Sequence, residues 1–172
     1  MSQQIRVGMG YDAHRLVEGR ALVLGGVRIE YSRGLEGYSD ADALLHAVMD
    51  AMLGAAGMED IGHQFPPGDE RFRDASSLKL LATVRSMVER SGWRVVNVDA
   101  TVLAEEPKLS PHLDRMKRAM AEELGIGVGQ IGIKATTNEG LGFVGRGEGI
   151  AAMAVALLAR REEDDLEDQI GA

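Results

Sequence analysis

The 172-residue chain contains no cysteine. Disulfides and thiolate ligands are therefore excluded, and any metal centre must be built from imidazoles and carboxylates. No apolar run is long enough to span a bilayer. The opening residues Met1-Ser2-Gln3-Gln4 run into a strand-like segment without a signal-peptide pattern, so the expected location is cytoplasmic, with no membrane partner. Basic excess is also lacking: 19 Lys and Arg stand against 27 Asp and Glu, a formal net charge of -8. A nucleic-acid binder needs a basic face to neutralise phosphates, so that class is excluded. No repeat, low-complexity linker or internal boundary divides the chain. Residues 1–160 read as one domain, and residues 161–172, with the run Glu162-Glu163-Asp164-Asp165-Leu166-Glu167-Asp168, as an acidic tail expected to be disordered.

What is present suits a folded core: 45% of residues are hydrophobic and 27% charged. Residues 5–14 read as a strand and 21–29 as a short hairpin around Gly25-Gly26. Residues 41–57 carry Leu44, Leu45, Val48, Met49, Met52, Leu53 and Ala56 at helical period, with Gly57 suited to the C-terminal cap. A loop marked by Gly62, Pro66, Pro67 and Gly68 follows. Ser76 or Ser77 opens a second helix to Ser91, and Ser110-Pro111 a third carrying Leu113, Met116, Met120 and Leu124. Residues 93–103, 131–135 and 149–158 read as strands. This order predicts a single-domain α/β fold, a mixed β-sheet with helices on one face. The last strand is apolar on both sides, which points to an oligomer covering the other face.

Three residues suggest a metal site. Asp12 and His14 lie two apart in a strand and present a carboxylate and an imidazole to one side. His46 lies on the first helix in a polar stripe with Asp42 and Asp50. Two imidazoles and a carboxylate form the ligand set of an open zinc site, and Asp40 or Asp42 would orient an imidazole from behind. Spacing alone does not bring His14 and His46 together. A second segment, Lys134-Ala135-Thr136-Thr137-Asn138-Glu139-Gly140-Leu141-Gly142-Phe143-Val144-Gly145-Arg146-Gly147-Glu148-Gly149, ends a strand in hydroxyls and enters a glycine-rich loop. Such loops admit phosphate oxygens to backbone N–H groups, with Glu139 able to hold Mg²⁺. The same residues also fit a capping box, Thr136-x-x-Glu139, at a helix start. Lys108 lies between prolines in Pro107-Lys108-Leu109-Ser110-Pro111. His63 and His112 read as structural or solvated.

Taken together, Gly10-Tyr11-Asp12-Ala13-His14, Ser39-Asp40-Ala41-Asp42 through His46, Asp60-Ile61-Gly62 with Phe65-Pro66, Pro107-Lys108, and Lys134 through Gly149 resemble the 2-C-methyl-D-erythritol 2,4-cyclodiphosphate synthase family, over about residues 5–160. The resemblance implies a phosphorus-oxygen lyase of non-mevalonate isoprenoid biosynthesis. It would convert 4-diphosphocytidyl-2-C-methyl-D-erythritol 2-phosphate to the 2,4-cyclodiphosphate and CMP. It implies Zn²⁺ on Asp12, His14 and His46, and Mg²⁺ or Mn²⁺ on Glu139, with Thr137 joining these four as catalytic. Ser39 would contact phosphate, Asp60 and Gly62 sugar hydroxyls, and Phe65 the methylerythritol. Ala104, Pro107, Lys108 and Leu109 would frame the cytidine, with Thr136 and Thr137 on phosphates. The family is a homotrimer with sites between subunits, and Phe143 and Arg146 would lie by a central cavity able to hold an isoprenoid diphosphate. Two positions depart from the family pattern: Tyr38 stands where a phosphate-contacting histidine is usual, and Pro67 where an aspartate follows Phe-Pro. Tyr38 offers a hydroxyl but no positive charge. Two other classes use the same residues: a zinc-dependent phosphoester hydrolase, and a non-catalytic metal-dependent trimer binding an anionic or prenyl ligand.

Overall fold

The computed structural model describes residues 4–161, so residues 162–172, which hold the acidic run, lie outside the described residues. The main strands are β1 (Ile5–Glu18), β4 (Arg33–Leu35), β5 (Trp93–Leu103), β6 (Ile131–Thr136) and β7 (Gly149–Arg160). They form one mixed five-stranded sheet in the order β4-β1-β7-β5-β6. The β5/β6 pair is parallel, whereas β1/β4, β1/β7 and β5/β7 are antiparallel. The predicted hairpin forms as β2 (Leu22–Leu24) and β3 (Val27–Ile29), a separate two-stranded ribbon.

Helix α1 (Ala43–Ala56) crosses the sheet over β1 and β7. Its start differs from expectation by two residues, because Ala41 has a left-handed φ of 56° and Asp42 is the cap. The fully buried Asp42 carboxylate accepts the N–H groups of Leu45 (3.0 Å), Gly25 (3.0 Å) and Gly26 (2.7 Å). It therefore ties the ribbon to the helix and does not orient an imidazole, which corrects the expected role. Burial pushes its carboxyl up to about 6, against the pull of these donors. Asp50 is also a tie, accepting the N–H of Ile61 at 2.9 Å.

The close approach of α1 to the sheet is set by small residues. Along β1, alternate residues Arg6, Gly8, Gly10, Asp12 and His14 share one face. A Cβ on Gly8 would stand 2.0 Å from the Ala51 carbonyl oxygen, and one on Gly10 1.9 Å from that of Ala47. The helix answers with Ala47, Ala51 and Ala55, one turn apart. Arg6 donates to the Ala56 carbonyl at 3.2 Å, at the helix C-terminus. Strand and helix thus lie backbone to backbone, and the next positions along β1 reach the N-terminal half of α1.

Helices α3 (Ser77–Arg90) and α4 (Leu113–Leu124) also pack on β5 and β6, with Leu81, Val84, Val88, Met116, Met120 and Leu124 buried. The expected caps differ. Ser76 holds the cap position of α3 without a side-chain hydrogen bond, and Ser110-Pro111 opens a 3₁₀ turn, Ser110–His112, ahead of α4. The loop after α1 contains a short helix α2 (Ile61–Gln64) and a 3₁₀ turn Glu70–Phe72. The opposite sheet face presents Ile5, Val7, Met9, Tyr11, Met153 and Val155, with Met9 70% exposed.

Candidate active site

The β1–α1 seam brings Asp12, His14 and His46 together. Asp12 Oδ2 lies 2.8 Å from His14 Nε2 and 2.9 Å from His46 Nδ1. The two ring nitrogens are 3.2 Å apart. Among the described residues this is the one group of at least three metal-binding side chains, with donor atoms all within 4.8 Å. Ligands of a tetrahedral zinc at ~2.0–2.1 Å are separated by about 3.3 Å, so the spacing fits a single small cation.

The outer nitrogens establish which ring atoms face inward. His14 Nδ1 lies 2.7 Å from the Glu36 carbonyl oxygen and so carries the proton, leaving a lone pair on Nε2. Strand β4, too short to be expected from the sequence, delivers that carbonyl through its pairing with β1, which continues as the Glu36 N–H to Arg15 carbonyl bond at 2.9 Å. His46 Nε2 lies 3.1 Å from Ser77 Oγ. Ser77 is fully buried and donates its hydroxyl to Asp40 Oδ1, while its N–H bonds Asp40 Oδ2 at 2.9 Å. Its oxygen is therefore left to accept from His46 Nε2, which turns the Nδ1 lone pair toward Asp12 and His14. Asp40 thus acts on the imidazole as expected, but through a serine 31 residues from the histidine that no sequence spacing marks. Three inward acceptors call for a positive charge. Burial would raise the Asp12 carboxyl, but the adjoining His14 and His46 imidazoles hold it well below the usual range. Burial would lower the His14 imidazole, and the neighbouring Asp12 carboxylate raises it instead. Ser77→Ala is expected to weaken zinc binding ~10–100-fold, as loss of an orienting partner does. Competition with a chelator measures this, and an unchanged zinc affinity would refute the role given to Ser77.

The centre opens into a cavity of about 220 Å³ lined by Tyr38, Ser39, Met49, Ile61, Gly62, Phe65, Pro67, Phe72 and Leu80. Ser39 Oγ accepts the Ala41 N–H at 3.2 Å and lies 3.3 Å from His46 Nε2, which leaves its own hydrogen for a ligand. Among the described residues the buried Tyr38 hydroxyl has no hydrogen-bond partner, and the Arg73 guanidinium lies 5.8 Å from its ring centre. Pro67 adds apolar wall where the family pattern has a carboxylate. Phe65 and Phe72 meet edge to face at 5.3 Å. Asp60 caps α2 and bonds His63 Nδ1 at 2.8 Å in the open.

Ala104, Pro107, Lys108, Leu109, Thr136 and Thr137 line a different cavity of about 300 Å³, which shares no residue with the first. Glu139 follows it, with φ 52° and a hydrogen bond from Thr137 Oγ1 to Oε1 at 3.3 Å. The capping-box alternative is not realised: the next helix, α5 (Gly142–Gly145), begins later with Leu141 at its cap position. Phe143 lines a small cavity with His14, and Arg146, paired to Glu148 at 2.8 Å, lines another with Arg33 and Glu105. One chain thus brings the candidate metal ligands together and gathers the residues expected to frame the cytidine, but keeps the two groups apart.

The fold and centre define a class: a small α/β protein whose strand–helix seam carries a two-histidine, one-carboxylate candidate cation site beside an apolar cavity. The chain belongs to the YgbB family, whose model matches residues 5–159, and its curated relatives are named 2-C-methyl-D-erythritol 2,4-cyclodiphosphate synthase. The synthase of Moorella thermoacetica is 59% identical over 92% of this chain and 97% of its own. Among solved structures, the bifunctional IspDF of Campylobacter jejuni superposes with a TM-score of 0.90 at 40% identity, covering 94% of this chain and 44% of that one. IspF of Plasmodium falciparum, solved as a CDP complex, gives 0.81 at 32% identity, covering 94% of this chain and all of that one (100%).

Proposed function

We propose that this protein converts 4-diphosphocytidyl-2-C-methyl-D-erythritol 2-phosphate to 2-C-methyl-D-erythritol 2,4-cyclodiphosphate and CMP, as a CMP-forming phosphorus-oxygen lyase. The observation that carries the reading is the convergence of Asp12, His14 and His46 at the mouth of the Tyr38–Ser39–Phe65 cavity, in a chain of this family. The 2-phosphate oxygen attacks the β-phosphorus of the same molecule, a P–O bond to the α-phosphate breaks, and CMP leaves with that electron pair. A phosphate monoester is already anionic near neutral pH, so no general base is needed. Holding attacking oxygen, phosphorus and leaving oxygen in line supplies an effective molarity that reaches ~10⁵–10⁸ M in favourable cases. Asp12, His14 and His46 would hold Zn²⁺ and Glu139 would hold Mg²⁺ or Mn²⁺, ions that would supply charge neutralisation to the phosphoryl groups.

The remaining work falls to the chain's own groups. Ser39 and Tyr38 offer hydroxyls to phosphate, Asp60 and the Gly62 backbone take sugar hydroxyls, and Phe65 walls the methylerythritol. Ala104, Pro107, Lys108 and Leu109 frame the base, and Thr136 and Thr137 donate to the diphosphate. Because one chain holds the two cavities apart, the reading includes a homotrimer in which each site joins the metal cavity of one subunit to the nucleotide cavity of the next. The exposed apolar strip of β1 and β7 supports this, since a patch of that kind marks an interaction surface. Phe143 and Arg146 then lie near the axis, where an isoprenoid diphosphate would bind. The reading assigns residues 1–160 to the synthase domain and the protein to the cytoplasm.

The test is turnover of the cytidine substrate after EDTA treatment, with Zn²⁺ and Mg²⁺ returned singly and together. Cyclic diphosphate and CMP are expected by ³¹P NMR when both ions are present. Open-chain phosphates, or no turnover by fully metallated protein, would overturn the reading.

A further inference from the structure

We infer that Glu105 is a positioning residue that holds Glu139 in its working conformation and links the nucleotide cavity to the cation-binding loop. This rests on the reading of Glu139 given above. Glu105 stands in the connection between β5 and α4, directly after Ala104, whose N–H bonds the Thr136 carbonyl at 3.0 Å. Its Oε1 accepts the Asn138 N–H at 2.8 Å and the Gly140 N–H at 3.4 Å. These two peptide groups flank Glu139, so a single carboxylate oxygen grips the loop on both sides of it.

The grip adds to a turn closed by the Leu141 N–H on the Asn138 carbonyl at 2.9 Å, and it acts on a strained residue. Glu139 has a φ of 52°, a left-handed conformation unfavourable for a residue with a Cβ. It is followed by Gly140 (φ 76°) and Gly142 (φ 68°), which restrict the backbone least of all residues. An ionised acceptor bonded to backbone N–H groups is stronger than a neutral one. The grip also sets the Thr137–Glu139 lock, in which the Glu139 N–H donates to Thr137 Oγ1 and that hydroxyl donates to Glu139 Oε1, each at 3.3 Å.

Glu105 lines the cavity of Ala104, Pro107, Lys108 and Thr136 and, on its other side, the cavity of Arg33 and Arg146. A nucleotide that orders the 104–109 segment therefore orders Glu105, and with it Glu139. Coupling of this kind predicts that cation affinity at Glu139 depends on Glu105 although Glu105 is not itself a ligand.

The experiment is an EPR titration of Mn²⁺ into zinc-loaded protein with CDP present, for wild type, Glu105→Ala and Glu105→Gln, alongside the Mn²⁺ dependence of turnover. Glu105→Ala is expected to raise the Mn²⁺ dissociation constant ~10–100-fold, the usual cost of removing an orienting partner, with zinc content unchanged. Glu105→Gln keeps a carbonyl acceptor and is expected to recover most of the loss. Wild-type Mn²⁺ affinity in Glu105→Ala, no Mn²⁺ binding by wild type with CDP, or a glutamine variant as defective as alanine would each overturn the inference. Wild-type protein that binds Mn²⁺ with CDP but does not turn over the substrate overturns the proposed reaction instead and leaves the Glu105 result standing.

Discussion

His46→Ala is expected to fold and to lose both its bound zinc and cyclodiphosphate formation. The side chain projects from α1 into the seam, is 11% exposed, and supplies one of three converging donors. Its removal leaves Asp12 and His14, a pair that cannot close a tetrahedral site. Removing residues that merely orient ligands costs ~10–100-fold, so loss of a ligand is expected to exceed about 100-fold in activity. The fold is expected to survive because alanine is the best helix former and the α1 core of Leu44, Leu45, Met49, Met52 and Leu53 is untouched. Elemental analysis and circular dichroism check both halves. A variant with wild-type zinc content would sink the assignment of the centre.

Gly10→Val carries the second large effect, and it strikes the fold. A Cβ at residue 10 would stand 1.9 Å from the Ala47 carbonyl oxygen and 2.8 Å from the Ala51 nitrogen. Both are backbone atoms of α1, so relief requires moving the helix. Overpacking of a close-packed interior costs typically ~1–3 kcal/mol, and this contact belongs at or above the upper end. At ~2–4 °C per kcal/mol for a domain of this size, a fall in melting temperature of roughly 6–12 °C follows. Zinc affinity is expected to fall with it, since lifting α1 carries His46 away from Asp12 and His14. Gly54→Ala is the control: it is a helical glycine with nothing within 4 Å of its Cβ position. That change is expected to stabilise the protein by up to about 1 kcal/mol. Equal stability of Gly10→Val and wild type in chemical denaturation would mean that the strand–helix approach is looser than described.

Legibility from sequence followed element length. Helix α1 and strand β5 carry enough residues for their periods to register, and both lie within two residues of their expected bounds. The three-residue strand β4, helices α2 and α5, and the 3₁₀ turns are too short to show a period. They exist through tertiary contacts, such as the Asp50 carboxylate on Ile61 N–H. The Asp42-His46-Asp50 stripe shows the limit of spacing. Spacing puts three polar groups on one helix face, yet the structure uses Asp42 as a cap, His46 as a candidate ligand and Asp50 as a tie.

The sequence by itself determined the donor chemistry, the family and the principal elements, because residue identity and periodicity are local properties of the chain. It determined also that Asp12 and His14 point the same way, since a strand repeats every two residues. Only the tertiary structure decided that His46 meets them. Only there does Ser77 appear behind its ring and Glu105 beneath the Glu139 loop. The reason is physical: those contacts depend on how closely α1 approaches β1 and on where loops distant in sequence return. Packing of Gly8 and Gly10 against Ala47, Ala51 and Ala55 sets that approach, and the small residues themselves do not say which partner they will meet.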